Sequence, residues 1–244
     1  MQLFATRLLA LACGWLFCFS VWAFPEQFSA TYTLTIGNIT IGQAKWSLAS
    51  TGAGKYRYDA VTFPKGPLSL FYKSHRSEHS EWRYENGRIR PLQYRYNRGG
   101  KKDRKARIVF DWKAGTQGGG IAINTVNEET WRMPVPSDVL DKNVYVLALM
   151  RDLARGRRDF EYRIADGGNI KVYRFSFLGE ESLDTKLGPK KTLMVKRIRE
   201  SVTRETTFWC APALHYLPVK VVHREKDGTV ITLRIDEFGQ GQPE

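Results

Sequence analysis

Ser137 through Gly156 is the stretch that most narrows what this chain can become. Beyond the N-terminus it is the one long segment with helical spacing, and the sequence on either side breaks into short strand-like runs. Val139, Leu140, Val144, Leu147, Met150, Leu153 and Ala154 recur at intervals of three, four and seven and make a wide apolar face. Ser137 stands where a side-chain oxygen caps the first amides. Asp138 and Asp141 lie at the positive end of the helix dipole, Arg151 and Arg155 at the other. Gly156 supplies the left-handed residue that commonly closes a helix. A helix this apolar must lie against a sheet. Its apolar positions circle more than the ~100° that one packing surface uses, so part of it should meet a second apolar surface.

The flanks supply the sheet. Phe28 to Ile36 alternates, Gly37-Asn38 turns, and Ile39 to Ala49 alternates again. Further strands are expected at Tyr56–Phe63, Leu68–Tyr72, Ser77–Glu85, Leu92–Arg98, Lys105–Trp112 and, more weakly, Ile121–Trp131. Asn86-Gly87 is a strong hairpin signal. After the helix come Phe160–Ala165, Ile170–Leu178, Thr192–Glu200, Thr203–Cys210, Leu217–Glu225 and Thr229–Asp236. About a dozen short strands joined by tight turns describe a mainly β chain. The expected fold is an antiparallel meander forming a curved sheet, half-barrel or barrel with one central helix packed on it. Trp46, Trp82, Trp112, Trp131 and Trp209 fall on these strands and read as core.

The first residues carry a compartment signal. Arg7 precedes an apolar run from Leu8 to Phe19, and Val21-Trp22-Ala23 offers the residues a signal peptidase reads. The run is shorter than the ~20 residues that span hydrocarbon, so cleavage after Ala23 is expected and no membrane-spanning segment remains. The rest, residues 24–244, shows no linker-like tract or repeat and reads as a single β-rich domain. Two of three cysteines leave with the leader, so Cys210 has no disulfide partner, and the fold must be held by its core. Beside Trp209, Cys210 reads as a small buried hydrophobe.

Several islands, in order along nearly all of residues 24–244, carry a resemblance: Ile41-Gly42-Gln43-Ala44, Gly66-Pro67-Leu68-Ser69, Ser80 followed by Arg90-Pro91-Leu92-Gln93-Tyr94, and Phe110-Asp111-Trp112. Ser137-Asp138-Val139-Leu140 through Leu149-Met150-Arg151, and then Leu217-Pro218-Val219-Lys220, complete them. With these the chain resembles the family of exported bacterial proteins catalogued as domain of unknown function 3108. That resemblance implies no activity and transfers no catalytic residue. The segment Trp209 to Lys220 is also similar to the ending of periplasmic lipoprotein carriers, whose half-barrels hold acyl chains under helices. This implies binding and nothing more.

Chemistry-bearing motifs are few. His75-Arg76-Ser77-Glu78-His79 matches the H-x-x-E-H pattern of one zinc-peptidase class, in which a helix brings both histidines to one face. Here the neighbours read as strand, where Glu78 points away from the histidines, so no metal is expected. No Gly-x-Ser-x-Gly elbow, Cys-x-x-Cys pair or phosphate-cradling glycine loop occurs, and neither a catalytic residue nor a cofactor is assigned.

Charge is the remaining lead. The chain carries a formal +13, and loss of Arg7 leaves +12. It concentrates at Arg98, Lys101, Lys102, Arg104, Lys105 and Arg107, with further clusters at Arg155–Arg158 and Lys190-Lys191. Beside Tyr94 and Tyr96 such a run would suit single-stranded nucleic acid in a cytosolic protein, but export removes that partner. Outside the cytoplasm the available anions are phospholipid head groups, lipopolysaccharide phosphates and acidic glycans. The resulting expectation is a periplasmic, non-enzymatic protein binding an apolar or lipid-like ligand in a concave sheet under the helix. Trp112, Leu147 and Met150 would face the ligand, and Lys101, Lys102, Arg104 and Lys105 would form a basic rim. The alternative is an envelope scaffold with a filled core that binds another protein, and a hydrolase comes third.

Overall fold

A computed structural model describes residues 27–65, 75–100, 103–115, 118–198 and 204–241. The expected leader, the expected strand Leu68–Tyr72, and Lys101 and Lys102 lie outside these residues. Eight strands come first: Phe28–Ile36 (β1), Ile39–Gly52 (β2), Lys55–Pro64 (β3), Arg76–Glu85 (β4), Arg88–Arg98 (β5), Arg104–Asp111 (β6), Gly120–Val126 (β7) and Glu129–Val135 (β8). A two-residue strand Leu140–Asp141 (β9) and helix Tyr145–Ala154 (α1) follow. The chain returns through Asp159–Asp166 (β10), Asn169–Thr185 (β11), Gly188–Ile198 (β12), Glu205–Ala211 (β13), Leu217–Arg224 (β14) and Val230–Gln240 (β15).

All fifteen strands join one sheet, in the order β8-β7-β6-β5-β4-β3-β2-β1-β15-β14-β13-β12-β11-β10-β9. Every pair is antiparallel except β9 with β10. The first and last long strands therefore pair in the middle, Phe28 opposite Gln240 and Ile36 opposite Ile231. The chain builds one wing outward from that seam, crosses through β9 and α1, and builds the other wing back. The sheet curves without closing, which is the expected class. Most strands lie where the alternation put them, but β5 and β12 each start four residues before the expected Leu92 and Thr192, and β15 runs four past Asp236. Two elements differ more. Ile121–Trp131 is a hairpin, β7 and β8, turned at Asn127, which holds a positive φ of 54° that asparagine tolerates better than most residues. The strand expected to end at Leu178 continues to Thr185 beyond a bulge between Phe177 and Gly179, through residues too polar to read as strand.

The helix begins later than the sequence suggests. Leu140 and Asp141 pair with Ile164 and Ala165 of β10, and this pulls the segment from Ser137 out of helical geometry. The capping role expected of Ser137 belongs to Asp141, whose Oδ1 accepts the amides of Asn143 (2.8 Å) and Val144 (2.9 Å). At the other end Gly156 is the expected terminator, with a φ of 77°. Its amide donates to the Leu153 carbonyl and that of Arg157 to the Asp152 carbonyl, the two bonds of a Schellman cap.

Every residue of α1 is buried or half-buried, as its all-round apolar character requires. Leu147, Leu149, Met150 and Leu153 share one cluster with Phe28, Leu48, Tyr58 and Trp82 of one wing and Phe160, Phe175, Val195 and Phe208 of the other. A smaller cluster on β5 to β8 holds Tyr94, Ile108, Phe110 and Ala122, with Trp112 packed against it. The edge strand β8 is not bare: a Cβ at Gly168, in the β10–β11 turn, would run into the Trp131 indole, so the backbone there lies directly on the ring. Of the tryptophans read as core, Trp82 is 1% exposed and Trp46, Trp112, Trp131 and Trp209 are half-buried. Cys210 is fully buried, and burial pushes its thiol pKa up, as suits a small hydrophobe.

Two stability measurements follow. Leu147 is 0% exposed, so Leu147→Ala should cost roughly 2–5 kcal/mol in urea unfolding. Leu147→Trp should also destabilise, by about 1–3 kcal/mol, through overpacking. Near-normal stability of both variants would mean that the helix borders open space. Asp141 is fully buried, and burial raises its pKa from 3.8 to about 6, against the opposing pull of the Val144 and Asn143 amides and Ser80. A carboxyl whose folded pKa exceeds its unfolded value favours the fold most when protonated, so stability should fall as pH rises from about 4 to 6. Asp141→Asn keeps the acceptor and removes the charge. It should abolish that slope and match or exceed wild type at pH 7.5, whereas Asp141→Ala should lose about 0.5–2 kcal/mol throughout. An asparagine variant as unstable as the alanine variant would contradict this.

Candidate functional site

Strand register brings together what the sequence keeps apart. Across β4, β5 and β6, Arg76 stands opposite Arg98, and Arg98 opposite Arg104. The next same-face row is Glu78, Tyr96, Ala106 and Val126, and the one after it Ser80, Tyr94, Ile108 and Asn124. Glu78, Ser80, Tyr94, Ile108 and Asn124 are buried, so this is the concave side. Like charges directly opposite each other weaken a sheet unless other groups offset them, as Glu78 does for Arg76.

These rows floor a cavity of about 180 Å³, lined by Arg76, Tyr94, Tyr96, Arg104 and Asn124 among others. The far wing supplies the rest of the wall: Lys142 after β9, and Asp166 and Gly167 at the end of β10. Glu78 binds the Arg76 guanidinium through Oε1 and accepts the Tyr94 hydroxyl through Oε2 at 2.6 Å. Arg76 also lies over the Tyr96 ring, 5.3 Å from its centroid. Burial works to lower the Arg76 pKa, but the Glu78 carboxylate more than offsets it, so the guanidinium stays charged. Burial, with Glu78 next, pushes the Tyr94 hydroxyl well up, so it is a neutral donor. Asp166 is held below the usual carboxylate range: burial would raise it, but Lys171 (2.6 Å) and Lys142 (3.1 Å) prevail. Arg104 makes no ion pair among the described residues. Asn124 is 1% exposed; its Nδ2 donates to Ala122 O at 3.3 Å and its Oδ1 has no partner.

Beneath the cavity the polar network continues. Ser80 donates to Asp141 Oδ1 at 2.9 Å, and the Asn143 amide side chain donates to the Tyr58 carbonyl at 3.0 Å. The segment that opens α1 is thereby pinned to β3 and β4, while Leu140 and Asp141 pair with β10. The strap holding the two wings together is also the back wall of the cavity.

Of the expected rim, Arg104 lines this cavity, while Lys105 faces outward, beside Arg95 and Arg107 in a shallow depression of about 230 Å³. Trp112 belongs to the cluster under the same wing: it stacks on Phe110 (5.9 Å), donates Nε1 to Pro91 O (2.7 Å) and lies under Arg90 (4.5 Å). Leu147 and Met150 are in the other cluster, fully buried, and border no space a water could enter. The structure thus unites Arg104 with the Trp112 wing and separates both from the helix residues. In β4, Glu78 and His79 point to opposite faces, and His79 pairs with Asp59 at 2.7 Å. No cluster of three or more His, Cys, Asp or Glu that could hold a metal occurs among the described residues. Sequence reasoning missed Arg76, Glu78, Tyr94, Asn124, Lys142 and Asp166 as site residues. The Arg76-Glu78-Ser80 and Tyr94-Tyr96 alternations mark one face, but only register shows that they share it.

What this arrangement can do is hold an anion: the Arg76 and Arg104 guanidinium groups and the Lys142 ammonium converge on the cavity, and among the described residues no nucleophile is set beside a free base there. No helix among the described residues is long and apolar enough to cross a membrane.

The overall shape has a solved counterpart. The crystal structure of a β-barrel-like protein of domain of unknown function DUF1849 from Brucella abortus superposes with a TM-score of 0.61 at 7% identity, over 90% of this chain and 100% of that one. At that identity the likeness is one of fold. Among curated proteins none matches this chain. The family model described as protein of unknown function (DUF3108) matches residues 31–236, from within β1 to within β15, and so takes in both wings, the helix and every residue of the cavity. The chain belongs to that family.

Proposed function

We propose that the protein is an exported, non-enzymatic binding protein of the bacterial envelope that takes an anionic, lipid-like component by its charged head. The head would seat in the cavity between the wings. The observation that carries this is the convergence of Arg76 and Arg104 from one wing and Lys142 from the other on a single cavity, with Arg104 in no ion pair among the described residues. Export rests on the Arg7, Leu8–Phe19 and Val21-Trp22-Ala23 pattern. Trp112, Tyr96 and Ile108 give the same wing an apolar flank for the rest of the ligand. A basic mouth over such a flank suits an amphiphile more than a purely polar solute.

The scaffold reading keeps one observation in its favour. The interior around Leu147 and Met150 is filled by packed side chains, so an acyl chain has no room beside the helix. The two readings part on whether anything co-purifies. Native mass spectrometry of protein extracted from the envelope should show a chain beginning at or within a residue or two of Phe24, carrying an anionic amphiphile. Arg104→Glu, at an exposed position, should lose the adduct and fold normally. A wild type without adduct, or an adduct retained in Arg104→Glu, would leave the scaffold. A chain retaining Met1 in the membrane fraction would remove export.

A further inference from the structure

A second row on the concave side, remote in register from the cavity, runs from polar to apolar. Arg197 stands opposite Phe175 and Thr206, Thr206 opposite His223, and His223 opposite Ile231, while Ile36 is flanked by Ile231 and Ile39. Direct cross-strand partners share a face, and Phe175 and Thr206 are buried, so the row looks into the curve of the sheet. We infer that this row is a binding strip for an anionic amphiphile, its head on Arg197 and its alkyl chain along Ile231, Ile36 and Ile39. Arg197 is half-buried, with its guanidinium over the Tyr173 ring, 3.1 Å from the centroid. Stacking occupies the face of the guanidinium and leaves its N–H edge for an acceptor. Among the described residues Arg197 makes no ion pair, and its Nε is shut off from water without an acceptor. A shielded donor left unpaired is costly, so this one calls for an acceptor that the fold does not supply. The other polar groups at that end are committed: Thr206 and His223 bond each other at 2.8 Å, and Glu225 is held by Arg204 at 2.8 Å and His223 at 3.4 Å.

The far half of the row is apolar and open. Ile36 is 39% exposed and Ile39 60%, and among the described residues no other two exposed large hydrophobic side chains are direct cross-strand partners. A lone exposed isoleucine is ordinary; a pair continued by half-buried Ile231, and by Leu34 opposite Leu233 in the next row, is an apolar surface. With neighbouring strands about 4.8 Å apart, the row runs roughly 14 Å from Arg197 to Ile231 and roughly 10 Å more to Ile39, and same-face rows lie about 7 Å apart. A strip this long and narrow, cationic at one end and apolar at the other, matches an alkyl chain with an anionic head. A flat bilayer would meet the outside of a curved sheet rather than its inside.

The test is a calorimetric titration of the chain beginning at Phe24, at pH 8, with four probes below their micelle concentrations: octanoate, decanoate, dodecanoate and dodecyltrimethylammonium. Affinity for the carboxylates should rise about two- to fourfold per methylene. The cation, with the same tail as dodecanoate and the opposite head, should bind about tenfold or more weakly. In Arg197→Gln the two dodecyl probes should bind within about twofold of each other. Ile39→Ser, at an exposed position, should keep the wild-type unfolding midpoint and weaken dodecanoate about tenfold while octanoate changes little. Dodecanoate binding that survives both Arg197→Gln and Ile39→Ser would overturn the strip. So would its loss in Arg104→Glu but not in Arg197→Gln, which would put the amphiphile in the cavity. No binding of dodecanoate by the wild type would overturn the strip alone, since the cavity is judged by its own adduct.

Discussion

Everything in this molecule depends on burying one ten-residue helix inside a sheet that turns back on its own beginning. The helix is apolar all round, so a single flat surface could not satisfy it. The sheet meets that demand because β1 pairs with β15, which makes two wings of one continuous surface and lets both reach α1. Neither half can be completed alone: the seam joins residues some 200 positions apart, such as Thr33, whose hydroxyl donates to Asp236 at 2.6 Å. Asp141 and Asn143 then fasten the start of the helix to β3 and β4, while Lys142 and Asp166 stay at the surface between the wings. A buried carboxylate is a costly fastener. It is tolerated because two amides and a hydroxyl share its charge, and burial still raises its pKa to about 6.

The cavity is a by-product of the same geometry. Where the wings meet, the packing that fills the space around Leu147 gives out, and polar side chains line the remainder. Arg76 and Arg104 both line the cavity; Glu78 compensates for Arg76, and Arg104 has no ion pair among the described residues. A cation at a cavity wall without a carboxylate partner marks a place where function is expected. In the cavity of about 220 Å³ under the β11–β12 tip, Lys186 is paired with Asp236 at 2.7 Å.

The architecture was legible because it is written in local patterns. Alternation located most strands, Asn86-Gly87 a hairpin, and Gly156 the end of the helix. What local pattern does not carry is which residue caps a helix when a neighbouring strand competes for it. Ser137 looked like the cap until pairing of Leu140 and Asp141 with β10 moved the start to Tyr145. The site was legible only in fragments. Arg104 and Trp112 stood out by charge and size, and they do share a wing. Leu147 and Met150 drew attention for the same apolarity that buries them in the core. Arg76, Asn124 and Asp166 are ordinary residues in sequence; register across β4 to β7 puts the first two on one face, and Asp166 meets them only where the other wing closes the cavity.

The most direct measurement is where a tetrahedral dianion sits. Crystals of the protein equilibrated with tungstate should show an anomalous peak between Arg76, Arg104 and Lys142, on the concave side of β4 to β6. Peaks confined to the outward face near Lys105, with the cavity empty of anion, would contradict the account.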